Sequence, residues 1–485
     1  MPDDGGLVDR AVSATTQKKA LPLYASRVKV YPRRVHGRYR TIKWVLLGLG
    51  LAIYYLLPFL RWDRGPGAPD QAVMIDFTTR KAYFFWIEIW PQEVYFVTGL
   101  LILAAFSLFL ITSLLGRVWC GYACPQTVWT DLFMLVERLI EGDRNARMKL
   151  DKAPMSAAKA VRKLGKHTAW LLIALVTGGA WIMYFGNAPD VLHEALRGEA
   201  GVSTYFFIGL FTATTYTLAG WAREQVCTYM CPWPRFQAAM LDEHSLVVTY
   251  RAWRGEKRGS HKKGDSWEGR GDCVDCTACV SVCPTGIDIR DGQQLECIGC
   301  GLCIDACNEV MDKVGRPRGL IAFDTFARTE AQSRGQKPRY RLIRARTVLY
   351  AALLAIVGIV MLVALLSRST VELSVQRDRA PLFVMLSDGG VQNAYTLRIY
   401  NKTRQEQHYR LAVSGLASPP QIQVIGEEKG DSRLTVGPDQ VATFRVLLRT
   451  TLAGLRQDNV PLVFSLKTDG GEGTRQDSVF LSPAH

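Results

Sequence analysis

Five stretches of this 485-residue chain are apolar for about the length a helix needs to cross a lipid bilayer: residues 44–60, 94–115, 168–186, 203–222 and 347–367. A spanning helix takes roughly 20 mostly apolar residues, because it must cover the hydrocarbon core while satisfying its backbone polar groups internally. One such stretch alone reads equally well as a buried core helix. Five together predict a polytopic α-helical membrane protein of about five spans. The fourth stretch is the least apolar and carries many threonines, so it is expected to face other helices.

Loop charges orient the spans, since basic residues collect on the cytoplasmic side. Residues 1–43 hold ten Lys/Arg against three Asp, and residues 116–167 hold ten basic against five acidic. Residues 61–92 balance at four against four, and 187–202 carry one basic and three acidic groups. The N-terminus, the 116–167 loop and the 223–346 loop are therefore expected inside, and the C-terminal tail outside. The basic N-terminal segment lacks the apolar run of a cleavable signal. The net charge of +15 follows from this topology and gives no reason to expect nucleic-acid binding. Residues 61–92 are rich in aromatics (Trp62, Phe77, Tyr83, Phe84, Phe85, Trp86 and Trp90), as an interfacial belt would be; a quinone or partner site at the outer face is the sharper alternative.

All twelve cysteines lie between Cys120 and Cys307, on the side predicted to be reducing, which disfavours a disulfide framework. Eight of them repeat one pattern. Cys273, Cys276, Cys279 and Cys283 are spaced C-x2-C-x2-C-x3-C and followed by Pro284; Cys297, Cys300, Cys303 and Cys307 repeat the spacing and are followed by Asn308. In two-cluster ferredoxins three thiolates of one run and the fourth of the other hold each 4Fe–4S cube. That logic assigns one cluster to Cys273, Cys276, Cys279 and Cys307, and the other to Cys297, Cys300, Cys303 and Cys283. Ala278, Gly299 and Gly301 are small enough for the backbone to wrap closely. Zinc also binds C-x2-C pairs, but zinc sites seldom show two successive runs of four cysteines. Two adjacent cubes imply a wire for single electrons.

The other four cysteines form two C-x3-C-P motifs, Cys120 and Cys124 before Pro125, and Cys227 and Cys231 before Pro232. Each falls just past the inward end of a span, the second and the fourth. The i, i+4 spacing places both thiols of a pair on one helical face, and the proline is expected to end or kink the helix there. The repetition predicts two helical hairpins related by an internal pseudo-repeat, with the pairs converging. Four soft thiolates suit Cu(I), zinc or a reversible disulfide, and Met230 could add a thioether. Buried inert cysteines are the bland alternative.

Residues 371–482 alternate in short runs: Tyr395, Leu397 and Ile399; Phe444, Val446 and Leu448; Leu462, Phe464 and Leu466. Turn signals at 388–390, 437–438 and 469–471 divide them, which predicts an Ig-like β-sandwich without catalytic groups. His167 only abuts the third span and His193 lies in a loop, so a transmembrane haem with paired histidines is not expected. His244 and His261 read as surface residues. No Walker A or dinucleotide fingerprint is present.

With these features assembled, the chain resembles the CcoG/FixG/RdxA family of cytochrome c oxidase accessory proteins, needed for assembly of cbb3-type oxidases. The resemblance rests on EIWPQEVYFVTGLL, GRVWCGYACPQTVWTDLF, ERLIEGDRNARMKLD, the second C-x3-C-P, both ferredoxin runs and the Ig-like tail. It implies a cupric reductase of the bacterial inner membrane that turns Cu(II) into Cu(I), with Cys120, Cys124, Cys227 and Cys231 as catalytic copper site. It also implies two 4Fe–4S clusters, and as partners copper ions, copper chaperones or oxidase assembly factors, an electron donor and the bilayer. The expected domains are a basic cytoplasmic segment 1–43, a four-span domain 44–250, a cytoplasmic ferredoxin-type domain 251–346, a fifth span 347–367 and a periplasmic Ig-like domain 371–485. A quinol dehydrogenase like NapH, or a non-redox copper chaperone or scaffold, are the rival readings; NapH-like chains end soon after the clusters.

Overall fold

The computed structural model describes residues 29–65, 68–262, 264–426, 432–452, 455, 457–468 and 473–483. Most of the basic segment 1–43 and the turn at 469–471 lie outside the described residues. The chain forms two compact units: Gln71–Met361 with the N-terminal residues up to Arg61, and Leu362–His485 with Trp62–Asp70.

Among the described residues, four helices are long and apolar enough to cross a membrane: Arg38–Phe59, Pro91–Leu115, Ala157–Phe185 and Ala345–Leu366, with mean hydropathy between 1.6 and 2.9. Their α-helical parts are α1 (Arg38–Leu56), α2 (Tyr95–Leu115), α4 (Ala157–Ile182) and α9 (Ala345–Leu366), with α3 (Pro125–Glu141) between α2 and α4. Leu100, Leu101, Leu172, Val360 and Val363 are all more than half exposed, a surface suited to lipid and hostile to water. Two of these helices, α1 and α4, start well before their apolar stretches, because charged first turns are accommodated by neighbours. Arg40 and Lys43 of α1 both reach Asp131 on α3, at 2.8 and 3.4 Å.

The fourth apolar stretch is not a regular helix. A 14-residue helix, α5 (Val202–Thr215), passes into seven residues of π-helix, Tyr216–Ala222. It packs along α4 at Gly178, where an added Cβ would stand 2.8 Å from the Ile208 carbonyl oxygen. The stretch is expected to face other helices; it does so on this side only, since Phe206, Phe207, Leu210 and Trp221 are exposed.

The aromatic segment after α1 folds into a small antiparallel sheet, β1 (Val73–Asp76), β2 (Lys81–Phe84) and β3 (Ile87–Ile89). Tyr83 and Trp90 are buried, with the Lys81 ammonium 3.6 Å from the Trp90 ring centre. Phe77 and Trp86 are largely exposed, as a membrane-interface belt requires.

Farther along, α6 (Trp233–Met240), α7 (Ala278–Val282) and α8 (Leu302–Lys313) are joined by a two-stranded ribbon, β4 (Val247–Tyr250) against β5 (Ile321–Asp324). Val248, Ile289, Ile304, Met311, Leu320 and Ile321 form the core beneath the cysteine runs.

The second unit is a sandwich. One sheet runs β10 (Gln421–Val424), β12 (Gln440–Thr451), β8 (Gly390–Asn401), β6 (Val371–Arg377), with β7 (Val384–Met385) also on β8. The other runs β11 (Arg433–Val436), β9 (Gln407–Ser414), β13 (Asn459–Thr468), β14 (Gly473–Leu481). Tyr395, Leu397, Ile399, Val446 and Leu448 from the first sheet meet Leu462, Phe464 and Leu466 from the second, all at most 1% exposed. These are the residues the period-2 alternation predicts, because successive strand side chains point to opposite faces. Asn401 locks a corner: its Nδ2 donates to the carbonyls of Gln405, Val436 and Gly437. Asn401→Ala leaves these acceptors unpaired and is expected to cost about 1–3 kcal/mol. Hydrogen exchange of this unit in the full-length protein under urea measures that loss.

Candidate electron-transfer site

The two ferredoxin runs fold alike. In the first, Asp275 and Thr277 adopt left-handed backbone on either side of Cys276 (φ 52° for both); in the second, Gly299 and Gly301 do so on either side of Cys300 (φ 68° and 71°). These paired left-handed residues curl each loop around its thiols before α7 or α8 begins. Ala278, by contrast, simply opens α7. The second loop needs glycine because it is crowded: a Cβ on Gly301 would lie 2.9 Å from the Tyr39 ring and 3.0 Å from Phe323.

Each loop walls a cavity. Cys273, Cys276, Cys279 and Cys307 line one of about 340 Å³. Cys283, Cys297, Cys300 and Cys303 line the other, of about 350 Å³, which Cys279 also touches. The crossed grouping, three thiols from one run and the fourth from the other, is the one the spacing predicts. Burial pushes the Cys279 thiol up to about 11 and those of Cys297 and Cys307 up to about 12, and also raises Cys300 and Cys303. Such thiols stay protonated near neutral pH unless a positive centre offsets the burial. Four sulfurs around each small cavity fit a 4Fe–4S cube in both donor type and number.

The two C-x3-C-P motifs also fold alike, but not as regular α-helix. Trp119–Ala123 and Val226–Met230 are π turns, closed by Cys124 N–H to Trp119 O (2.9 Å) and Cys231 N–H to Val226 O (2.7 Å). Cys124 and Cys231 are extended (ψ 128° and 125°). The reason is the following proline, which excludes the α region for the residue before it. The prolines then open new helices: Pro125 is the first residue of α3, and Pro232 immediately precedes α6. The sequence reading therefore had the proline's role half right, since it interrupts the chain and also restarts it. Four residues before each first cysteine the backbone turns left-handed, at Gly116 (φ 65°) and at Arg223 (φ 44°). The pseudo-repeat is thus conformational as well as sequential.

The four thiols gather. Burial pushes Cys120 up to about 11, helped by Cys124 and Cys231 and opposed by Arg117. Burial likewise pushes Cys227 up to about 12, helped by Cys124, Cys120 and Cys231. Cys120 and Cys227 thus each feel a thiol of the other pair. Among the described residues no three His, Cys, Asp or Glu stand at the spacing of a single metal ion, so the thiols are grouped without being closed on one. Cys120 Sγ donates to Gln237 Oε1 at 3.0 Å, and Gln237 Nε2 donates to Thr112 Oγ1 at 3.3 Å. Met230 lines the same open cavity as Cys227 and Cys231. His244 is partly buried and His261 stacks on Trp267 at 3.9 Å; neither lines these cavities.

The first thiol loop sits directly on the second ferredoxin loop. An added Cβ on Gly121 would stand 2.9 Å from Ile298 O, 3.0 Å from Gly299 O and 3.1 Å from Cys300 Cα. Tyr122 Oη donates to Cys300 O at 2.9 Å. Arg117, buried, donates to the carbonyls of Leu295 and Cys297 on that loop and of Pro234 on α6. Cys120 itself packs against the cluster formed by Ile298, Cys300 and Leu302. Sequence reasoning missed Arg117, Gly121, Tyr122 and Gln237; their only local signal is proximity to the cysteines. Gly121→Val must push the 298–300 backbone away, at about 1–3 kcal/mol for overpacking. Thermal unfolding, with faster hydrogen exchange of the 298–300 amides, is the expected readout.

Residues 97–141 match the family described as "4Fe-4S binding domain", residues 222–326 the "4Fe-4S dicluster domain", and residues 361–483 the "IG-like fold at C-terminal of FixG". The first match spans one C-x3-C-P pair, and the second spans the other pair and both ferredoxin runs. The chain is 50% identical over 458 residues to the nitrogen fixation protein FixG of Rhizobium meliloti, covering 88% of this chain and 87% of that protein. It is 53% identical over 399 residues to protein RdxA of Cereibacter sphaeroides, covering 82% and 84%. Protein RdxB of the same organism is 54% identical over 399 residues, covering 81% and 84%. With its cysteine-lined cavities and its sandwich, this chain is an iron–sulfur electron-transfer protein and belongs to the FixG/RdxA family.

Proposed function

We propose that the protein is a cupric reductase, turning Cu(II) into Cu(I) for copper insertion during assembly of a cbb3-type cytochrome c oxidase. One observation carries the reading: the first thiol pair lies on the loop that walls an iron–sulfur cavity, held there by Gly121, Tyr122 and Arg117. In this reading Cys273, Cys276, Cys279 and Cys307 hold one 4Fe–4S centre, and Cys283, Cys297, Cys300 and Cys303 hold the other. When bound, the two centres supply one-electron storage beside the thiols.

Cys120, Cys124, Cys227 and Cys231 receive copper as substrate. Thiolate is a soft ligand that favours Cu(I) over Cu(II), so the same groups that admit the ion stabilise its reduced form. The step is Cu(II) plus one electron to Cu(I), with thiol protons released as copper binds. Gln237 holds Cys120 in place by accepting its S–H, and the half-buried thiols stay open to an arriving ion on the side of Cys227 and Cys231. Loop charge supports five spans in a bacterial inner membrane, with the thiols and iron–sulfur cavities cytoplasmic and the sandwich periplasmic. Copper chaperones or oxidase assembly factors are the partners that this placement suits.

The test uses full-length, cluster-loaded protein, reduced anaerobically and freed of excess reductant. Given Cu(II), it is expected to yield Cu(I), trapped by a Cu(I)-selective chelator, in proportion to the electrons it held. Persistence of the reduced iron–sulfur signal with Cu(II) left unreduced would falsify the reading.

A further inference from the structure

A third, half-open cavity lies at the polar end of α4, where that helix passes from its lysine-rich first turns into its apolar stretch. His167, Trp170 and Trp221 give it aromatic walls, and Lys166, Arg223 and Glu224 line it further. Leu164 and Trp221 are more than half exposed beside it, on the surface a membrane-dissolved molecule would travel.

The cations on the wall are already answered. Lys166 meets Glu141 at 3.1 Å, Lys163 meets Asp151 at 2.6 Å, and Arg223 meets Glu137 at 2.6 Å. Paired cations offer little to a phosphate, so the cavity suits an uncharged ligand better than a lipid headgroup. Its polar feature for such a ligand is His167. The ring stacks near-parallel to Trp221 (5.8 Å, 23°), and Nδ1 shares a hydrogen bond of 2.9 Å with the Tyr216 hydroxyl. That leaves Nε2 as the nitrogen for a ligand hydroxyl.

The cavity also adjoins the redox site. Arg223 and Glu224 line a further cavity whose other wall includes Cys227, Pro284, Thr285 and Ile298. A flat, uncharged, membrane-dissolved molecule that hydrogen-bonds through a hydroxyl and gives electrons is a hydroquinone. We propose that this cavity binds the head of a membrane hydroquinone as the electron donor, with His167 accepting a hydroxyl proton; the fate of the electrons rests on the electron-transfer reading above. The balance closes: the hydroquinone becomes quinone, losing two protons, one to His167 Nε2 and one through Glu224 to water. Its two electrons match two one-electron 4Fe–4S centres.

The test needs no copper. Full-length protein in lipid nanodiscs is photolabelled with an azidoquinone, digested and mapped by mass spectrometry. Label is expected within residues 163–170 or 220–224, displaced by excess decylubiquinone. Binding is expected to weaken about tenfold in His167→Leu, for the lost hydrogen bond. Trp221→Leu, at a half-exposed position that spares the fold, is expected to weaken it too. Cluster-loaded wild type mixed anaerobically with decylubiquinol is expected to lose visible iron–sulfur absorbance. Label confined to the 77–86 aromatics, displacement by phosphatidylglycerol but not by decylubiquinone, or absorbance untouched by the quinol would each overturn the proposal. None of these results depends on Cu(II) reduction, which stands or falls on chemically reduced protein alone.

Discussion

Protein carrying Cys120→Ser together with Cys124→Ser will form Cu(I) only at the background rate of the buffer, while its iron–sulfur absorbance matches wild type. A serine hydroxyl is close to the thiol in size and can still donate to Gln237 Oε1, which now receives the Cys120 S–H at 3.0 Å. The loop should therefore keep its seat on the 298–300 backbone. What changes is ligand softness, because hydroxyl oxygen neither holds Cu(I) nor favours it over Cu(II). The eight cysteines from Cys273 to Cys307 are untouched, so both iron–sulfur cavities remain complete. The measurement is anaerobic Cu(I) formation by pre-reduced protein, with absorbance recorded alongside. Equal rates in variant and wild type would show that these thiols are not the copper site.

Glu137→Gln is expected to destabilise the first unit by about 3–5 kcal/mol, the typical cost of stranding a buried charge. Glu137 is 1% exposed and accepts from Arg147 Nη1 at 2.7 Å and Arg223 Nη2 at 2.6 Å, with Lys166 Nζ at 3.8 Å. Glutamine keeps the shape but leaves two buried guanidinium groups without a counter-charge. The effect reaches the thiols, because Glu137 lies on the helix that follows the first pair and holds the arginine four residues before Cys227.

The pH dependence follows from the same contacts. Burial alone would raise the Glu137 carboxyl, but Arg223, Arg147 and Lys166 outweigh it and hold it below its ordinary value of 4.5. A depressed carboxylate contributes fully above its unfolded pKa, and that contribution is lost as pH falls through the folded one. Wild type should therefore lose stability below about pH 4.5 more steeply than the variant. Thermal unfolding in detergent across pH 3–7 tests both the offset and the slope; identical curves would rule the network out as a stabilising element.

Spacing and periodicity are local, and what depends on them was legible. The crossed grouping of Cys307 with the first ferredoxin run, and of Cys283 with the second, follows from C-x2-C-x2-C-x3-C because a short loop cannot surround a cube alone. The inward residues of β8, β12 and β13 follow from alternation, since a strand buries every second side chain. The apolar stretches gave four of the long helices, with starts misplaced where charged turns find partners. The fourth stretch eluded pattern reading because apolar composition does not distinguish α from π backbone.

The thiol site was legible as two motifs whose repetition predicts that they converge. What brings them together is the packing of α2, α3 and the α5 segment, which no spacing encodes. Arg117 and Gly121 look like ordinary loop residues until the 298–300 backbone lies against them, 177 positions away for Gly121 and Ile298. Glu137 reads as one more charge in a basic loop, yet it ties the two halves of the pseudo-repeat together.

By itself the sequence determined which atoms are available: thiols in fixed local groupings, apolar lengths matched to a bilayer, alternating strands for a sandwich. Only the tertiary structure decided which of those atoms meet. Local spacing constrains neighbours through covalent geometry, whereas the seat of one thiol loop on an iron–sulfur loop depends on the absence of a single Cβ and on one guanidinium shared among three distant carbonyls.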